Sequence, residues 1–220
     1  RALGKKRENL FVCGEINELI NVSDVIIDFS NAKASLNLLK VISNSKKKPA
    51  IVSGTTGFSS LQEKKFISLT KGIRILRSFN MSLGVNIMKT LSKISSRNLV
   101  DLADVEIFEI HHNKKKDIPS GTALTLADSI RVGNSKLRKF SFREKSNKKV
   151  RTRNEIGFSS IRGGDIVGEH SVYFFLDGET IKMTHIAHDR KIFSDGALRA
   201  SLWINNQKVG LYSTLDMLDI

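Results

Sequence analysis

Short apolar runs alternate with helix-like segments over roughly the first third of the chain. The runs are near-continuously apolar at their centres and occupy residues 24–29, 49–54 and 73–78. Runs of this kind are typical of parallel strands that are covered on both faces. Helical spacing of apolar residues predicts a helix over 32–44, and a capping box of Ser60 and Glu63 predicts the start of another over 60–71. This β-α-β-α-β series predicts a doubly wound sheet with a ligand crevice at the carboxyl ends of its strands.

The pattern changes after Gly84, where a second domain is predicted to begin. The expected helices cover about 85–100, 122–131 and 196–204, and the expected strands cover 105–110, 156–158, 169–176 and 179–187. Asp177-Gly178 separates the last two strands as a hairpin turn. Strands and helices in this order predict an α+β domain with a mostly antiparallel sheet.

The composition is that of a globular chain. Hydrophobic residues make up 40% of the sequence and charged residues 26%, with only two prolines, which excludes disordered and fibrous classes. A single cysteine, Cys13, excludes an internal disulfide framework and fits a reducing, cytoplasmic compartment. No apolar run approaches the ~20 residues that span a bilayer, so we expect no membrane insertion.

The chain is strongly basic, with 36 Lys and Arg against 22 Asp and Glu and a formal net charge of +14. Residues 136–153 alone carry nine basic residues against one acid, Glu144. A nucleic-acid-binding protein is therefore one hypothesis. Aromatic residues are only 7% of the chain and are not interleaved with the basic segment, unlike surfaces that stack bases. We therefore expect no nucleic-acid partner.

The densest chemistry lies in residues 109–124, EIHHNKKKDIPSGTAL, which predict a strand end, a loop and a helix start. In this segment Ser120 or Thr122 can cap the helix, and the free N–H groups of its first turn favour a carboxylate or phosphate. Imidazole and ammonium groups beside an anion site suit general acid catalysis on an anionic substrate. A solvated surface loop is the simpler alternative, but the convergence of these features favours a functional site.

No metal site is expected. His111 and His112 are adjacent, and neighbouring side chains on a strand point to opposite faces. No carboxylate or cysteine lies at a usual zinc-ligand spacing from them.

Two other regions carry candidate binding residues. The loop SGTTGF at 53–58 and the residues Asp28, Phe29 and Ser30 follow neighbouring strands and face the same predicted crevice. Residues 161–170, IRGGDIVGEH, include Arg162, which is suited to binding an anion bidentately. The alternative for this region is a set of polar residues that satisfy one another in a core or interface, namely Glu169, His170, His185 and Arg190.

These clusters, in this order, resemble the dihydrodipicolinate reductases of bacterial lysine and diaminopimelate biosynthesis. The similar segments span about residues 24–204. They are DFS at 28–30, GTTGF at 54–58, NMSLGVN at 80–86, EIHHNKKKDIPSGTAL at 109–124, IGF at 156–158, IRGGDIVGEH at 161–170 and TH…R…F…GA at 184–197.

The resemblance implies an α/β fold with two domains. Residues 1–82 and 191–220 would form a doubly wound, Rossmann-like, dinucleotide-binding domain. Residues 83–190 would form an α+β substrate-binding and tetramerisation domain with a mixed, largely antiparallel sheet, and the chain would be a cytoplasmic homotetramer. NADPH or NADH would supply a hydride to ring C4 of a small cyclic dicarboxylate, 4-hydroxy-tetrahydrodipicolinate, to give tetrahydrodipicolinate.

The resemblance also assigns residues. His111 and Lys115 would be the acids, with Lys115 protonating the ring carbon next to the hydride acceptor, while Lys114 and Lys116 face solvent. The substrate carboxylate would be held by His112, Ser120, Gly121 and Thr122. The cofactor would be bound by Asp28, Phe29, Ser30, Gly54, Thr55, Thr56, Gly57, Ser78, Asn80 and Met81, the last three near the junction of the domains.

One family feature has no counterpart in the residues before Asp24. The family begins with a strand and a glycine-rich G-x-x-G-x-M-G turn that cradles the pyrophosphate, whereas Gly4 and Gly14 are isolated. We therefore expect little or no cofactor titration by fluorescence, and a truncated, catalytically impaired relative is the second alternative. The choice between NAD and NADP stays open.

Overall fold

The computed structural model describes residues 12–99, 101–142 and 150–220. Its first elements are α1 (Ile16–Val22), β1 (Val25–Asp28), α2 (Ala32–Asn44), β2 (Ala50–Ser53), α3 (Ser60–Leu69) and β3 (Arg74–Arg77). They are followed by α4 (Leu83–Asn98), β4 (Asp104–His111), α5 (Gly121–Gly133), β5 (Lys139–Phe142), β6 (Glu155–Arg162), β7 (Gly168–Phe175), β8 (Thr180–Ala187), α6 (Lys191–Ile204), β9 (Gly210–Tyr212) and α7 (Thr214–Leu218). The chain divides into two compact units. The first runs to Phe79 and includes Ala197–Ser213, and the second comprises Asn80–Gly196 and Thr214–Ile220.

The sheet of the first unit is parallel, which confirms the prediction from the β-α-β-α-β series. Its strand order is β1-β2-β3-β9. All four residues of β2 are buried, which explains its continuous apolar run. Asp28 and Ser53 are paired at the carboxyl ends of β1 and β2, so the loops that follow these strands begin at the same edge. The three-residue strand β9 was not predicted.

The capping box at the start of helix α3 lies one residue earlier in the chain than the sequence indicated. Ser59 and Gln62 form the box, because the Ser59 side chain accepts from the Gln62 N–H and the Gln62 side chain accepts from the Ser59 N–H. The prediction of Ser60 and Glu63 was therefore wrong. Glu63 instead accepts two hydrogen bonds from Arg77, at 2.6 and 2.8 Å.

The sheet of the second unit is mixed, with strand order β5-β6-β4-β7-β8. The β5–β6 and β6–β4 pairs are parallel, and the β4–β7 and β7–β8 pairs are antiparallel. The sheet is thus half parallel, where a largely antiparallel one was expected. The chain passes from β4 to β5 through α5, and such a helical connection produces strands that run in the same direction.

Strand β4 lies at the centre of this sheet and presents alternate residues to the covered face. Val105, Ile107, Glu109 and His111 are buried, while the residues between them are partly exposed. The first two join a core that includes Leu126 and Ile130 of α5. The last two place a carboxylate and an imidazole at the carboxyl end of the strand.

None of the helices in the described ranges has both the length and the apolar character needed to cross a membrane. The basic segment 136–153 contains β5, and its residues 143–149 lie outside the described residues. Within the remainder, Arg151 pairs with Asp104 and Glu106.

Candidate active site

A buried carboxylate and an imidazole meet at the end of β4. Glu109 is fully buried and His111 is 8% exposed, and Nδ1 of His111 is hydrogen-bonded to Oε2 of Glu109. Arg162 lies opposite His111 in the β4–β6 register. Its two terminal nitrogens donate to the two carboxylate oxygens of Glu109, at 2.7 and 2.9 Å. The bidentate contact of Arg162 is thus made with Glu109, a carboxylate of the chain itself, and not with a bound anion.

These contacts keep Glu109 ionised. Burial alone raises the pKa of a carboxyl group. Hydrogen bonds from His111, Arg162 and Ser160 outweigh that effect and lower the pKa of Glu109 to about 2. Glu109 is therefore a carboxylate at neutral pH.

His170 on β7 contacts the helix start from the other side. It pairs with Glu109 in the β4–β7 register, and its Nε2 atom lies 2.9 Å from Oγ of Ser120. The ring meets the His111 ring edge-on, with centroids 5.0 Å apart. Burial, followed by the charge of His111, lowers the pKa of His170 to about 3, so this imidazole is neutral. Within the described residues, His170 binds the N-cap of α5, a contact that neither interpretation of this region predicted.

The Ser120 hydroxyl has two structural partners. It accepts from the Ala123 N–H at 3.2 Å as the N-cap of α5, and it is hydrogen-bonded to His170. The residue is 1% exposed. Of the two capping residues that the sequence allowed, Ser120 is the cap.

The loop between β4 and α5 carries one half-buried lysine between two exposed ones. Lys114 and Lys116 are exposed as expected, whereas the Lys115 side chain is 22% exposed. Its Nζ lies 2.9 Å from Oδ1 of Asp117. The hydrogen bond from Lys115 lowers the pKa of Asp117, and the backbone N–H of Gly121 contributes in the same direction. The Asp117 carboxylate therefore lies beside the Lys115 ammonium in the loop that leads into α5.

Two more of the predicted substrate residues flank this helix start. Thr122 is half-buried, and its Oγ1 accepts a hydrogen bond from Nδ2 of Asn80 at 3.3 Å. His112 is half-buried, and its Nε2 accepts from Arg190 at 3.5 Å. Asn80, predicted on the cofactor side, thus contacts a predicted substrate residue.

Glu109, His111 and His170 are the one group of potential metal ligands found among the described residues, with ligand atoms within 4.8 Å of one another. The strand pairing brings these atoms together, which the spacing of the sequence did not show. Both oxygens of Glu109 are bound by Arg162, and a guanidinium beside the carboxylate opposes a divalent cation. These three side chains are therefore better suited to proton transfer than to binding a metal ion.

The first unit brings together the residues that follow β1 and β2. Oδ1 of Asp28 accepts from the N–H and the hydroxyl of Ser30, at 3.0 and 2.6 Å. The carbonyl of Asp28 accepts from the Gly54 N–H at 2.9 Å and from the Thr55 hydroxyl at 3.3 Å. Oδ2 of Asp28 is buried and has no hydrogen-bond partner among the described residues. Phe29 and Thr56 are exposed at the same edge, and Gly57 adopts a φ of 80°.

The residues after β3 fall in both units. Ser78 belongs to the first unit, and its N–H donates to the Ser53 carbonyl at 3.0 Å. Asn80 and Met81 belong to the second unit, where Met81 is 1% exposed.

Sequence reasoning assigned no role to Glu109 or Asp117. A signal for Glu109 was available, because an acid at position 109 interrupts the apolar face formed by Val105 and Ile107. Its partner Arg162 lies 53 residues away, and only the strand pairing shows that contact.

We expect acid to destabilise the protein through His170. Its pKa is lowered from 6.5 to about 3 in the folded state, so the unfolded chain binds the proton first and stability falls as pH drops from 6.5 towards 3. Between pH 6.5 and 4.5 this loss should be about 2 kcal/mol. The measurement is the urea midpoint against pH.

The matched comparison is His170→Asn against His188→Asn. His188 is exposed, so its variant should keep the loss, whereas His170→Asn should make the curve clearly shallower and leave the smaller contribution of His185, whose pKa burial also lowers. Carboxyl groups titrate mainly below this window. A curve that His170→Asn leaves unchanged would contradict the interpretation.

Two family models cover almost the whole chain. The model "Dihydrodipicolinate reductase, N-terminus" matches residues 1–81, and "Dihydrodipicolinate reductase, C-terminus" matches residues 84–218. The 4-hydroxy-tetrahydrodipicolinate reductase of Buchnera aphidicola subsp. Baizongia pistaciae is 43% identical over 96% of this chain and 79% of its own length. The Pelagibacter ubique enzyme of the same name is 42% identical over 100% of this chain and 85% of its own length.

A solved structure supports the fold independently. A dipicolinate-bound dihydrodipicolinate reductase from Paenisporosarcina sp. TG-14 is similar with a TM-score of 0.75 and 21% sequence identity, over 96% of this chain and 82% of that one. These matches give no support to the nucleic-acid-binding alternative. The chain belongs to the dihydrodipicolinate reductase family, the oxidoreductases that use NADH or NADPH to reduce 4-hydroxy-tetrahydrodipicolinate in lysine and diaminopimelate biosynthesis.

Proposed function

We propose that His111 and Lys115 are the proton donors of this reduction and that a substrate carboxylate binds at the start of α5. The observation that carries the proposal is the pairing of the Lys115 ammonium with the Asp117 carboxylate at 2.9 Å, in the loop that leads into the N-cap of α5. A site that holds one carboxylate beside a lysine is suited to a carboxylate of the substrate.

We expect different residues near the start of α5 to contribute side-chain and backbone hydrogen bonds to the substrate carboxylate. Thr122 and His112 are half-buried side chains with hydrogen-bonding atoms beside the helix start. Gly121 supplies a backbone N–H. Ser120 contributes mainly through the backbone, because its hydroxyl already binds Ala123 and His170. The net result is a cationic, donor-rich surface for a dicarboxylate.

We further propose that Lys115 protonates the ring carbon adjacent to C4. The lysine is half-buried, and its ammonium already pairs with one carboxylate, that of Asp117, in the loop that leads into α5. His111 is buried against Glu109 and would be the second acid. When NADPH or NADH is bound, it supplies the hydride.

The cofactor-binding role is proposed for the first unit. The orphaned Oδ2 of Asp28 offers a buried acceptor at the carboxyl edge of the parallel sheet, where nucleotides bind in doubly wound folds. The sugar hydroxyls and carboxamide N–H groups of a nicotinamide dinucleotide are donors that fit it. The residues that would line the same site are Phe29, Ser30, Gly54, Thr55, Thr56, Gly57 and Ser78, with Asn80 and Met81 following in the chain.

The second unit also supports a proposal for the assembly, a homotetramer in the cytoplasm. The open face of its sheet carries Tyr173 stacked on Phe175 at 5.3 Å, and Phe175 and Ile161 are each more than 40% exposed. An aromatic and apolar sheet face of this kind suits contact with another copy. The single free cysteine fits a reducing compartment. Sedimentation equilibrium should give the mass of four chains, and a monomer would contradict the assembly.

Dipicolinate binding tests the carboxylate site without requiring turnover. We expect Thr122→Val to weaken dipicolinate binding at least about 10-fold, because one hydrogen bond to a charged group is worth about 1.5–3 kcal/mol. Isothermal titration calorimetry measures the affinity directly. Thr125→Val is the matched control, since the Thr125 hydroxyl bonds only to the Thr122 carbonyl one turn along the helix. Equal affinity for Thr122→Val and the unmodified protein would refute the site.

A further inference from the structure

We propose that Glu109 is a positioning residue for the reaction: it holds one proton of the His111 ring on Nδ1, so that the doubly protonated ring gives its other proton to the substrate from Nε2 and is left neutral with its proton on Nδ1. This inference rests on the proposed role of His111. It concerns how the ring is oriented and which nitrogen is used.

The strand fixes the contact between the two side chains. Glu109 and His111 lie two residues apart on β4, on the same covered face, and Oε2 of Glu109 meets Nδ1 of His111. An ionised carboxylate accepts hydrogen bonds and cannot donate them. The proton in this contact therefore lies on Nδ1, and the other ring nitrogen is left for chemistry.

Arg162 holds the carboxylate in place. Its terminal nitrogens bind both Glu109 oxygens, at 2.7 and 2.9 Å, so the carboxylate cannot rotate away from His111. The same guanidinium donates to the carbonyl of Asp117 at 2.7 Å. The Asp117 carboxylate pairs with Lys115. Arg162 therefore contacts both Glu109, which binds His111, and Asp117, which binds Lys115.

The surroundings of the ring leave Nε2 available. A Cβ atom at Gly168 would lie 3.0 Å from Nε2 of His111, so the glycine keeps this side of the ring open. His170, the other imidazole nearby, is bonded to Ser120 and does not compete for Glu109. Within the described residues, Glu109 contacts the ring directly, and Arg162 is bound to Glu109.

The first measurement needs no variant. The ¹⁵N resonances of a histidine ring show which nitrogen carries the proton, and the chain has only five histidines, so His111→Gln assigns the relevant pair of signals. At a pH where the imidazoles are neutral, we expect the proton of His111 on Nδ1. A proton on Nε2 would overturn the proposal.

The second measurement removes the carboxylate. Glu109→Met leaves no acceptor, and we expect the His111 proton to move to Nε2, the nitrogen that a free imidazole side chain prefers. The matched control is Glu106→Met, which removes the carboxylate of another arginine pair on the same strand and should leave the His111 signals unchanged. If Glu109→Met does not fold, Glu109→Met with Arg162→Met removes both charges together. A proton that stays on Nδ1 in Glu109→Met, or in the double variant, would overturn the proposal.

Kinetics separate this inference from the proposed function. We expect Glu109→Met to lower kcat by about 10- to 10⁴-fold, the range found for supporting carboxylates, with little change in KM for the substrate. A tautomer switch with unchanged kcat would show that Glu109 does not act through His111. If His111→Gln itself keeps full turnover, the acid role of His111 fails, whichever nitrogen carries the proton.

Discussion

Lys115→Met is expected to lower kcat by about 10²- to 10⁴-fold, the usual contribution of a positioned general acid. Methionine keeps much of the unbranched stem but has no proton to give. The Lys115 side chain is only 22% exposed, and its Nζ is held 2.9 Å from Asp117. The exposed lysines of the loop are therefore not expected to replace it as the proton donor. The rate of NADPH or NADH oxidation with saturating substrate measures the effect.

The neighbouring lysines provide the control for charge. Lys114→Met and Lys116→Met remove the same charge from the same loop, but both side chains are exposed. Their effect should be limited to a modest rise in KM through weaker attraction of the dianionic substrate, and it should shrink in salt. A loss of kcat in either control equal to that in Lys115→Met would show that only the net charge of the loop matters.

Much of the loop between β4 and α5 could be predicted from the sequence because its signals are local. A strand end, a helix cap and the residues between them lie within sixteen positions, and the structure places Ser120 as the N-cap and Lys115 as the half-buried lysine. The residues from other strands that contact this loop could not be predicted from the sequence. Arg162 and His170 reach it through β6 and β7, and pairings between distant strands leave little trace in one sequence.

Net charge was a poor guide for the same reason. The count of +14 does not show that Arg77, Arg151 and Arg162 are mostly buried and paired with acids. Arg77 also lies 4.1–4.9 Å from the ring centroids of Phe58, Phe66 and Phe79. Such arginines act as structural parts of their units, because a buried guanidinium is retained only with its partners. These pairs cancel charge for charge, so they reduce the number of basic side chains that are free to contact a phosphate but leave the net charge of +14 unchanged.

The position of α5 depends on close packing at its far end. The helix starts at the candidate site with Ser120 and ends at Gly133. At Gly133 a Cβ atom would lie 2.3 Å from the carbonyl oxygen of Lys93 on α4, and 3.2 Å from the Ser96 side chain. The Ser96 hydroxyl also donates to the Ile130 carbonyl at 2.9 Å. The two helices therefore approach so closely that only glycine fits at this point.

Gly133→Ala is expected to destabilise the second unit by about 1–3 kcal/mol, the usual cost of overpacking. Alanine favours a helix over glycine by about 1 kcal/mol, so any net loss shows that the contact with the Lys93 backbone outweighs propensity. Urea unfolding measures it, and dipicolinate affinity should fall as well, because a shift of α5 moves Gly121 and its N–H. Gly163→Ala is the control: a Cβ there meets nothing within 4 Å, and its stability should stay within about 0.5 kcal/mol of the parent. If Gly133→Ala is as stable as that control, α4 and α5 do not pack this closely in solution.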